Sequence, residues 1–249
     1  MTKYIAASNR RGGVGKTTTT MMLAYGLAVL GYQRVLVLDL DAQASTSITL
    51  MGHERWRLAR DHSKTVGDLL IEMFGDDHVD VTPFIAPQVG DVHIMPGARR
   101  PSLDVIPSSF ELDNREREML IMGGASVPTI DAVFDKLQLS VARLIRSLEG
   151  HYDIVLMDCP PGLSNVAWGA IRAADHVVIP YVPDATAEDN VGWFTRRLQD
   201  LDPAKQVRVL ANRVRPNSAF QAGIIDSITN RHTSLGLQVP IRAAIAGAL

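Results

Sequence analysis

A glycine-rich segment near the start of the chain has the residue types that hold phosphates. Residues 8–18 read SNRRGGVGKTT, after a short apolar run and before a helix-like run. Glycines let backbone N–H groups converge on anionic oxygens at a helix N-terminus. Lys16 would reach the β- and γ-phosphates of a nucleotide, and the Thr17 hydroxyl would coordinate Mg²⁺. The predicted nucleotide-binding set is Gly12, Gly13, Val14, Gly15, Lys16, Thr17 and Thr18.

Arg10 occupies the position where the usual phosphate-loop pattern has its first glycine. The alternative interpretation is a glycine-rich turn with a solvated lysine. The order of strand, loop, Gly-Lys-Thr and helix favours the nucleotide site.

Acidic residues follow two buried apolar runs elsewhere in the chain. Asp39 and Asp41 come at the end of one run, and Asp158 ends another. A carboxylate there is costly unless it is paired, hydrated or near a metal. We expect Asp158 to hold the water shell of Mg²⁺ and a carboxylate of the other run to orient an attacking water. The alternation also predicts Asp39 and Asp41 on one side of an extended chain; capping of a helix is the alternative role.

Strands and helices must alternate to bring these segments together. Continuous apolar runs are typical of strands covered on both faces, as in parallel sheets. We therefore predict an α/β fold with a doubly wound, mostly parallel sheet and one domain over residues 1–249. The predicted strands cover residues 4–7, 34–41, 92–96, 152–158, 176–180 and 207–212, and the predicted helices cover 18–30, 65–70, 111–121, 129–149, 166–174, 185–200 and 219–231.

Two stretches receive other predictions. Residues 52–65 are polar and basic and read as a surface excursion. In the helix at 129–149, apolar residues from Ile130 to Leu148 recur at helical spacing and predict a core-facing stripe.

Composition excludes several classes of protein. The single cysteine, Cys159, rules out an intramolecular disulfide and a four-cysteine metal or cluster site within one chain. No signal pattern and no apolar run of membrane-spanning length are found, which predicts a cytoplasmic protein. The whole chain carries a net charge of −2, but residues 193–249 hold eight Lys or Arg against three Asp. This asymmetry indicates a C-terminal third that faces an anion, with a scattered solvated surface as the alternative.

Residues 11–18, 39–43 and 152–161 closely resemble the motifs of ParA-type partition ATPases, a deviant Walker A group of P-loop NTPases that includes MinD. Residues 103–109 and 174–180 are also similar to that family, and the similarity runs from about residue 3 to about residue 215. The resemblance implies an Mg²⁺-dependent ATPase that dimerises face to face around two ATP molecules. Such proteins bind DNA non-specifically as ATP dimers and release it after hydrolysis, which a ParB-like or cargo adaptor protein stimulates.

Carried over by position, the resemblance assigns roles to individual residues. Lys16 binds phosphate, while Thr17 and Asp158 serve Mg²⁺. Asp41 positions the water, and Asp39 supports the magnesium shell. Asn212, at the end of a strand, contacts adenine.

Arg11 departs from the family, which usually has a lysine that reaches across the dimer to the partner's phosphates. Arginine keeps the charge but is a planar fork, so it would act as a bidentate phosphate contact or an arginine-finger-like catalytic group. Failure to reach the partner, with a differently assembled dimer, is the alternative. A second departure is Gly162, where the family usually has serine.

The leading hypothesis is a partition or positioning ATPase that segregates DNA or positions a large cytoplasmic cargo and associates with the nucleoid when ATP is bound. Arginines and lysines that contact phosphates give sequence-independent, salt-sensitive binding. The DNA-binding candidates are Arg213, Arg215, Arg231 and Arg242. Two alternatives remain: a MinD-like membrane-associated ATPase, for which residues 241–249 have one arginine and no large apolar face, and a nucleotide-dependent scaffold with little turnover. We expect no membrane contact. A native C-terminus longer than this sequence also stays open.

Overall fold

The computed structural model of the protein describes residues 1–29, 34–75, 79–90, 102–124 and 129–241. The strands are β1 Lys3–Ala7, β2 Arg34–Asp39, β3 Ser102–Ile106, β4 Ile154–Asp158, β5 His176–Tyr181, β6 Gln206–Val214 and β7 Ser234–Pro240. The helices are α1 Lys16–Val29, α2 Ser45–Met51, α3 His53–Asp61, α4 Val66–Gly75, α5 Leu112–Gly124, α6 Ile130–Ser147, α7 Asn165–Ala173, α8 Ala187–Leu201 and α9 Ala219–Thr229, with a 3₁₀ turn at Thr82–Phe84.

The described strands form one parallel sheet in the order β3-β2-β4-β1-β5-β6-β7. From β1, the strands β5, β6 and β7 follow outward on one side, and β4, β2 and β3 follow on the other, so the chain builds one side of the sheet first and crosses β1 to the other side after β4. Such a reversal of strand order opens a crevice at the carboxyl edge of the sheet, where ligands bind in folds of this kind. The predicted α/β doubly wound fold is confirmed.

Alternate residues of each strand enter two separate hydrophobic cores because successive side chains point to opposite faces of the sheet. In β2, Leu36 and Leu38 pack with the core formed mainly by α4 to α9. Val35 and Val37 pack on the other face with residues of α1, α2 and α3. Both faces are thus covered, which explains why the central strands are almost entirely apolar.

Most predicted elements are present, with boundaries shifted by one to a few residues. α1 begins two residues earlier than predicted, at Lys16. The predicted strand at 92–96, the end of the first helix at Leu30 and its proposed cap Gly31 lie outside the described residues. In α6 the stripe from Val133 onward faces the core, but Ile130 is 61% exposed because it starts the helix.

Two strands are absent from the sequence prediction. In β3, flanking prolines and the acidic Asp104 disguise the apolar run. Asp104 is buried, and it accepts hydrogen bonds from Tyr152 Oη (2.9 Å), Ser102 Oγ (2.8 Å) and the backbone N–H of Gln88 (2.9 Å). β7 is an edge strand whose residues are mostly exposed, so burial leaves little trace in its sequence.

The predicted surface excursion at 52–65 contains the helix α3. Its anchor is Trp56, which is buried and donates a hydrogen bond from Nε1 to the carbonyl of Ser108 (2.9 Å). The Trp56 ring also meets Phe110 edge-on, with 5.4 Å between centroids. One aromatic anchor therefore holds an otherwise polar helix on the sheet, a pattern too sparse for periodicity to reveal.

Candidate active site

The loop between β1 and α1 has the backbone conformation that a phosphate cradle requires. Gly13 and Gly15 have φ values of 71° and 93°, in the left-handed region that favours glycine. At Gly15 a side chain is also excluded by packing, since a Cβ there would lie 1.8 Å from Asn212 Nδ2. The same Nδ2 donates a hydrogen bond to the carbonyl of Val14 (2.9 Å). The end of β6 therefore supports this loop from outside.

Lys16 bends back over the loop that precedes it. Its Nζ donates to the carbonyl of Arg11 (3.1 Å), and the residue is 94% buried. Burial lowers the pKa of Lys16, while the nearby carboxylates of Asp158 and Asp41 act in the opposite direction. Lys16 also lines an open cleft of about 450 Å³ at the carboxyl edge of the sheet. A phosphate in that cleft would compete with the Arg11 carbonyl for the ammonium group.

Asp158 ends β4 beside the first turn of α1. Its Oδ2 accepts hydrogen bonds from Thr17 Oγ1 (2.8 Å) and Thr46 Oγ1 (2.6 Å). Its Oδ1 is buried and has no hydrogen-bond partner among the residues that the structure describes. Burial raises the pKa of Asp158 to about 6. A buried carboxylate oxygen with no donor, next to a threonine hydroxyl, is a donor set that suits a cation.

Asp39 lies opposite Asp158 in the pairing of β2 with β4. Its Oδ2 accepts from the N–H (2.8 Å) and the hydroxyl (2.6 Å) of Ser47, and its Oδ1 accepts from the N–H of Asp41 (3.2 Å). Burial, and then the charge of Asp158, raise the pKa of Asp39 to about 7. Both oxygens of Asp39 are therefore engaged within the protein.

The prediction that Asp39 and Asp41 share one side of an extended chain is wrong. β2 ends at Asp39, and the chain then turns, with the Asp41 carboxylate accepting from the N–H of Gln43 (3.0 Å). Asp41 is half-buried and lines the cleft, whereas Asp39 is fully buried and points to Ser47 at the N-terminal turn of α2. The two acids thus occupy different environments.

These carboxylates fit Mg²⁺ held together with a nucleotide rather than a cage made of protein ligands. In the described part of the chain, no group of three or more His, Cys, Asp or Glu could hold a metal by itself. Mg²⁺ ordinarily keeps several waters and binds through one or two carboxylates plus substrate phosphates. Thr17 and Asp158 supply the protein side of such a site. The residues present therefore fit the Mg²⁺–nucleotide predicted from the sequence.

A model of the AAA domain family matches residues 2–209. The chain is 30% identical over 241 residues to the chromosome partitioning protein ParA of Caulobacter vibrioides, with 95% of this chain and 73% of that protein covered. It belongs to the ParA family. It is also 29% identical over 239 residues to the sporulation initiation inhibitor protein Soj of Bacillus subtilis, covering 96% of this chain and 78% of that protein.

Solved structures have the same fold as this chain. One is cobyrinic acid a,c-diamide synthase from Mycobacterium smegmatis with a bound ATP analogue and magnesium. Its TM-score is 0.74 at 23% identity, covering 98% of this chain and 86% of that one. The resemblance stated from the sequence motifs is thus confirmed for the family and for the P-loop fold.

Arg11, at the position of the family's signature lysine, turns away from the cleft. Its guanidinium forms an ion pair with Asp184 and donates to Thr186 Oγ1 (3.1 Å), both in the loop between β5 and α8. Burial opposes ionisation of Asp184, but the Thr186 hydrogen bonds and Arg11 outweigh it and lower the pKa of Asp184. Neither Asp184 nor Thr186 was predicted from the sequence, since nothing near them in the chain marks them as partners of Arg11.

Arg10 connects the same loop to α8. Its guanidinium lies 5.2 Å from the ring centroid of Trp193, a cation–π contact. Its carbonyl accepts from the N–H of Gly162 (2.9 Å), in the segment after β4. Gly162 has a φ of 92°, so glycine suits the position where the family usually has serine.

The four predicted DNA-binding arginines occupy different places. Arg213 lines the nucleotide cleft, so the grouping of Arg213 with the DNA-binding surface is not supported by its position. Arg215 and Arg231 are exposed, and Arg231 Nη1 lies 3.6 Å from Glu188 Oε2. Arg242 lies outside the described residues.

Sequence reasoning missed the hydroxyl residues that orient the acids. Thr46 and Ser47 lie in α2, only a few residues after Asp41, and bind Asp158 and Asp39 respectively. A run of Ser and Thr directly after a pair of strand-end acids is the signal that could have identified them. Asn212, predicted to contact adenine, holds the phosphate loop through Nδ2 and the N–H of Arg213 (2.8 Å) through Oδ1.

Proposed function

We propose that this ParA-family protein is an Mg²⁺-dependent ATPase whose ATP-bound dimer binds DNA non-specifically and so partitions or positions a cargo. The observation that carries the proposal is that Lys16, Thr17 and Asp41 line one cleft at the carboxyl edge of the sheet and that the buried Asp158 accepts a hydrogen bond from Thr17 beside it. These groups come from three separate segments of the chain. Lys16 is a cation that can bind phosphate, Thr17 and Asp158 form a pair that can bind Mg²⁺, and Asp41 places a carboxylate in the cleft.

The residues divide the work of hydrolysis among them. The loop N–H groups and Lys16 bind the β- and γ-phosphates, which requires the Lys16 ammonium to leave the Arg11 carbonyl. Thr17 and Asp158 hold Mg²⁺, which when bound neutralises charge on the phosphates. Asp41 accepts a hydrogen bond from the attacking water and orients it in line with the γ-phosphate. Asp39 and Ser47 fix the end of β2, from which Asp41 projects.

The ATP-bound dimer requires Arg11 to exchange partners. In this structure Arg11 binds Asp184 and Thr186 of its own chain. The exposed pair is weak, because solvent screens charges at the surface. The polyphosphate of a nucleotide in a second protomer is a stronger anion with bidentate geometry. We infer that Arg11→Ala weakens ATP-dependent dimerisation, which light scattering with ATP and with ADP measures; unchanged dimerisation would contradict this role.

The DNA surface that the geometry favours combines α8 with the end of α9. Burial lowers the pKa of His232, and the positive charges of Arg231 after α9 and Arg196 on α8 lower it further, so both arginines lie near His232. Arg196 and Arg231 are exposed. Clustered exposed cations from two helices give the sequence-independent, salt-sensitive contact with phosphates that this function needs. Arg215 is a further exposed candidate nearby in the chain.

The test is binding of a random-sequence duplex, measured by fluorescence anisotropy at one fixed salt concentration. The wild-type protein is expected to bind DNA tightly with ATP and weakly with ADP. Arg196→Ala combined with Arg231→Ala should abolish DNA binding while ATP binding persists. A matched control is Arg143→Ala, which replaces an exposed arginine on α6 and should bind DNA like the wild type. Equal binding with ATP and ADP would overturn the proposed switch.

Turnover separates this proposal from a scaffold that binds nucleotide without hydrolysis. Asp41→Ala should retain ATP-dependent DNA binding but release phosphate about 100-fold more slowly than the wild type, because the attacking water is no longer oriented. A wild-type protein that hydrolyses no ATP, with or without DNA, would favour the scaffold. A ParB-like or cargo adaptor that accelerates turnover is the expected partner.

Among the described residues, no helix has both the length and the apolar character needed to cross a lipid bilayer. Localisation in the cytoplasm, on the nucleoid when ATP is bound, follows from the proposed DNA binding. Fluorescence microscopy of a tagged protein would test it, with the Arg196→Ala and Arg231→Ala double variant expected to be diffuse.

A further inference from the structure

The helix α3, which the sequence predicted only as a polar and basic surface excursion, forms one wall of a second groove. The groove has a volume of about 370 Å³, and residues 83–86 together with Pro107 form its other wall. Among the described residues, it shares no lining residue with the nucleotide cleft. Ala86 pairs with Val105 of the edge strand β3, whereas α9 packs on β6 near the other end of the sheet. The groove is therefore separate from the nucleotide cleft and from the proposed DNA surface.

The floor of the groove is apolar and partly open to water. Phe84 is only 2% exposed and Pro107 is buried, but Leu58 on α3 is 50% exposed beside them. Pro83, on the other wall, is also exposed. An apolar surface with a polar rim is typical of a site that binds another molecule, because covering it removes apolar area from water.

The rim of the groove is basic. Arg55, His62 and Lys64 line it, and no acidic residue of the described chain does. Lys64 Nζ lies 4.5 Å from the ring centroid of Phe84, and Arg55 Nη2 donates to the carbonyl of Pro87 (2.9 Å). These contacts orient the two cations without neutralising them. Within the described residues, neither cation forms an ion pair.

The end of α3 fixes the position of Lys64. Ser63 has a φ of 54°, and its N–H donates to the carbonyl of Arg60 (3.0 Å), while the N–H of Lys64 donates to the carbonyl of Ala59 (2.8 Å). This pair of bonds is the Schellman arrangement that ends many helices, here with serine in the left-handed position that glycine usually occupies. The Lys64 cation is thus held over the ring of Phe84 before any ligand binds.

The other charged residues of α3 do not cancel this basic rim. Asp61 is engaged by Arg60 (2.7 Å), whose guanidinium also lies 5.3 Å from the ring centroid of Trp56. Glu54 does not line the groove. Positive charge therefore surrounds an apolar floor, and the complementary ligand carries negative charge around an apolar group.

We propose that the groove between α3 and residues 83–86 binds an acidic peptide segment of another protein through its apolar side chains. The apolar side chains cover Leu58 and Phe84, and the flanking carboxylates meet Arg55 and Lys64. Because the groove is open to solvent at Pro83 and Leu58, it suits a chain that crosses it rather than an enclosed small molecule. Nucleic acid fits less well, since its phosphates have no apolar group to place on the floor. This inference goes beyond the proposed function and does not depend on the nucleotide site.

The test is fluorescence anisotropy of a labelled peptide added to the full chain at low salt, without nucleotide. The peptide alternates glutamate with leucine, so in an extended conformation its leucines share one side. The wild-type protein is expected to bind it. Arg55→Glu should weaken binding about tenfold, because a carboxylate then faces the carboxylates of the peptide. Leu58→Ser should also weaken it about tenfold, because apolar surface is no longer covered.

The chain offers a matched control for each variant. Arg57→Glu makes the same change of charge at an exposed arginine of α3, roughly 200° around the helix from Arg55 and outside the groove. Leu139→Ser replaces a leucine of α6 that is 51% exposed. Both should bind the peptide like the wild type. Because all four residues are exposed, the variants should stay folded, which unchanged thermal unfolding midpoints would verify.

Four results would overturn the inference. They are no binding of the peptide by the wild type, equal binding of a peptide with lysine in place of glutamate, equal binding of one with serine in place of leucine, and an equal loss in Arg57→Glu. Normal peptide binding by Arg55→Glu with weaker binding of a random DNA duplex would instead assign the rim to DNA and also overturn it. Failure of the proposed ATPase would leave these measurements unchanged, so the two failures are distinguishable.

Discussion

Two carboxyl groups share the buried carboxyl edge of the sheet, and their environments decide how they behave. Asp158 keeps one oxygen free of donors in the described structure, while both oxygens of Asp39 accept hydrogen bonds. Both have raised pKa values because burial disfavours the charged form. Before a cation binds, the site therefore carries less negative charge than two exposed aspartates would.

The raised pKa of Asp39 predicts a pH-dependent stability in the metal-free protein. The folded state holds a proton that the unfolded state has released, up to a pH of about 7. This contribution to stability is fully present below the unfolded pKa, near 4, and is lost as the pH rises through about 7. Thermal unfolding in a chelator should show that Asp39→Asn loses less stability than the wild type between pH 5 and pH 8. Parallel losses in the two proteins would contradict the assigned pKa.

At the scale of elements, connections between loops and helices tie the phosphate loop to distant segments. Arg11 binds the loop after β5, Arg10 packs on α8, and Asn212 at the end of β6 supports Gly15. On the other side of the molecule, α6 and α7 pack closely because α7 has a glycine at their contact. These contacts give two predictions about separate elements.

Breaking the Arg11–Asp184 pair should favour the dimer. Asp184→Asn removes the carboxylate that holds Arg11 within its own chain, so less interaction is lost when Arg11 moves to a partner's nucleotide. We expect tighter ATP-dependent dimerisation by analytical ultracentrifugation and a change in unfolding free energy within about 1 kcal/mol, as is usual for exposed pairs. Asp135→Asn breaks a similar exposed pair with Arg172, far from the loop, and should leave dimerisation unchanged. Weaker dimerisation of Asp184→Asn would show that Asp184 supports the dimer instead.

Gly169 on α7 should tolerate no side chain. A Cβ there would lie 2.4 Å from Val141 Cβ and 2.7 Å from the backbone carbonyl of Gln138 on α6. Gly169→Ala is expected to destabilise the protein by about 1–3 kcal/mol, since the two helices must move apart. Gly223→Ala on α9, where a Cβ meets open space, should instead stabilise it by about 0.5–1 kcal/mol. Urea unfolding of both variants measures the difference, and a neutral Gly169→Ala would show that α6 and α7 are free to separate.

At the scale of the whole molecule, both cores meet at one parallel sheet, so stability and nucleotide binding are linked. The loop, the ends of β2 and β4, and β6 contribute to the cleft, and these strands pack in the interior. A ligand that binds only the folded state raises the free energy of unfolding. Binding of a nucleotide in the cleft should therefore raise the free energy of unfolding of the whole protein.

Mg²⁺–ATP at 100 times its dissociation constant should stabilise the fold by about 2.7 kcal/mol. For a domain of this size, that corresponds to a rise in Tm of about 5–10 °C. Differential scanning fluorimetry measures it. Lys16→Ala should lose most of the rise while its Tm without ligand stays close to that of the wild type, because burial of the Lys16 ammonium opposes the stabilisation that it gains from Asp158, Asp41 and the Arg11 carbonyl. An equal rise in Lys16→Ala would exclude Lys16 from phosphate binding.

The sequence by itself determined the phosphate loop, the central strands with their terminal acids, the fold class and the family. It could do so because glycines, apolar runs and strand-end carboxylates are local patterns that need no knowledge of distant contacts. Chain segments with mixed polarity escaped this reasoning, as the buried Asp104 in β3 and the single anchor Trp56 in α3 show.

Only the tertiary structure decided which distant residues meet. Asn212 fills the space left by Gly15, Asp184 holds Arg11, and a bulge in β6 turns Arg213 into the nucleotide cleft. Each of these contacts joins residues more than 150 positions apart along the chain. The geometry of these contacts depends on the order and register of the strands. The local sequence patterns are compatible with many strand orders and registers. The folded sheet selects one of them, and with it the roles of these residues.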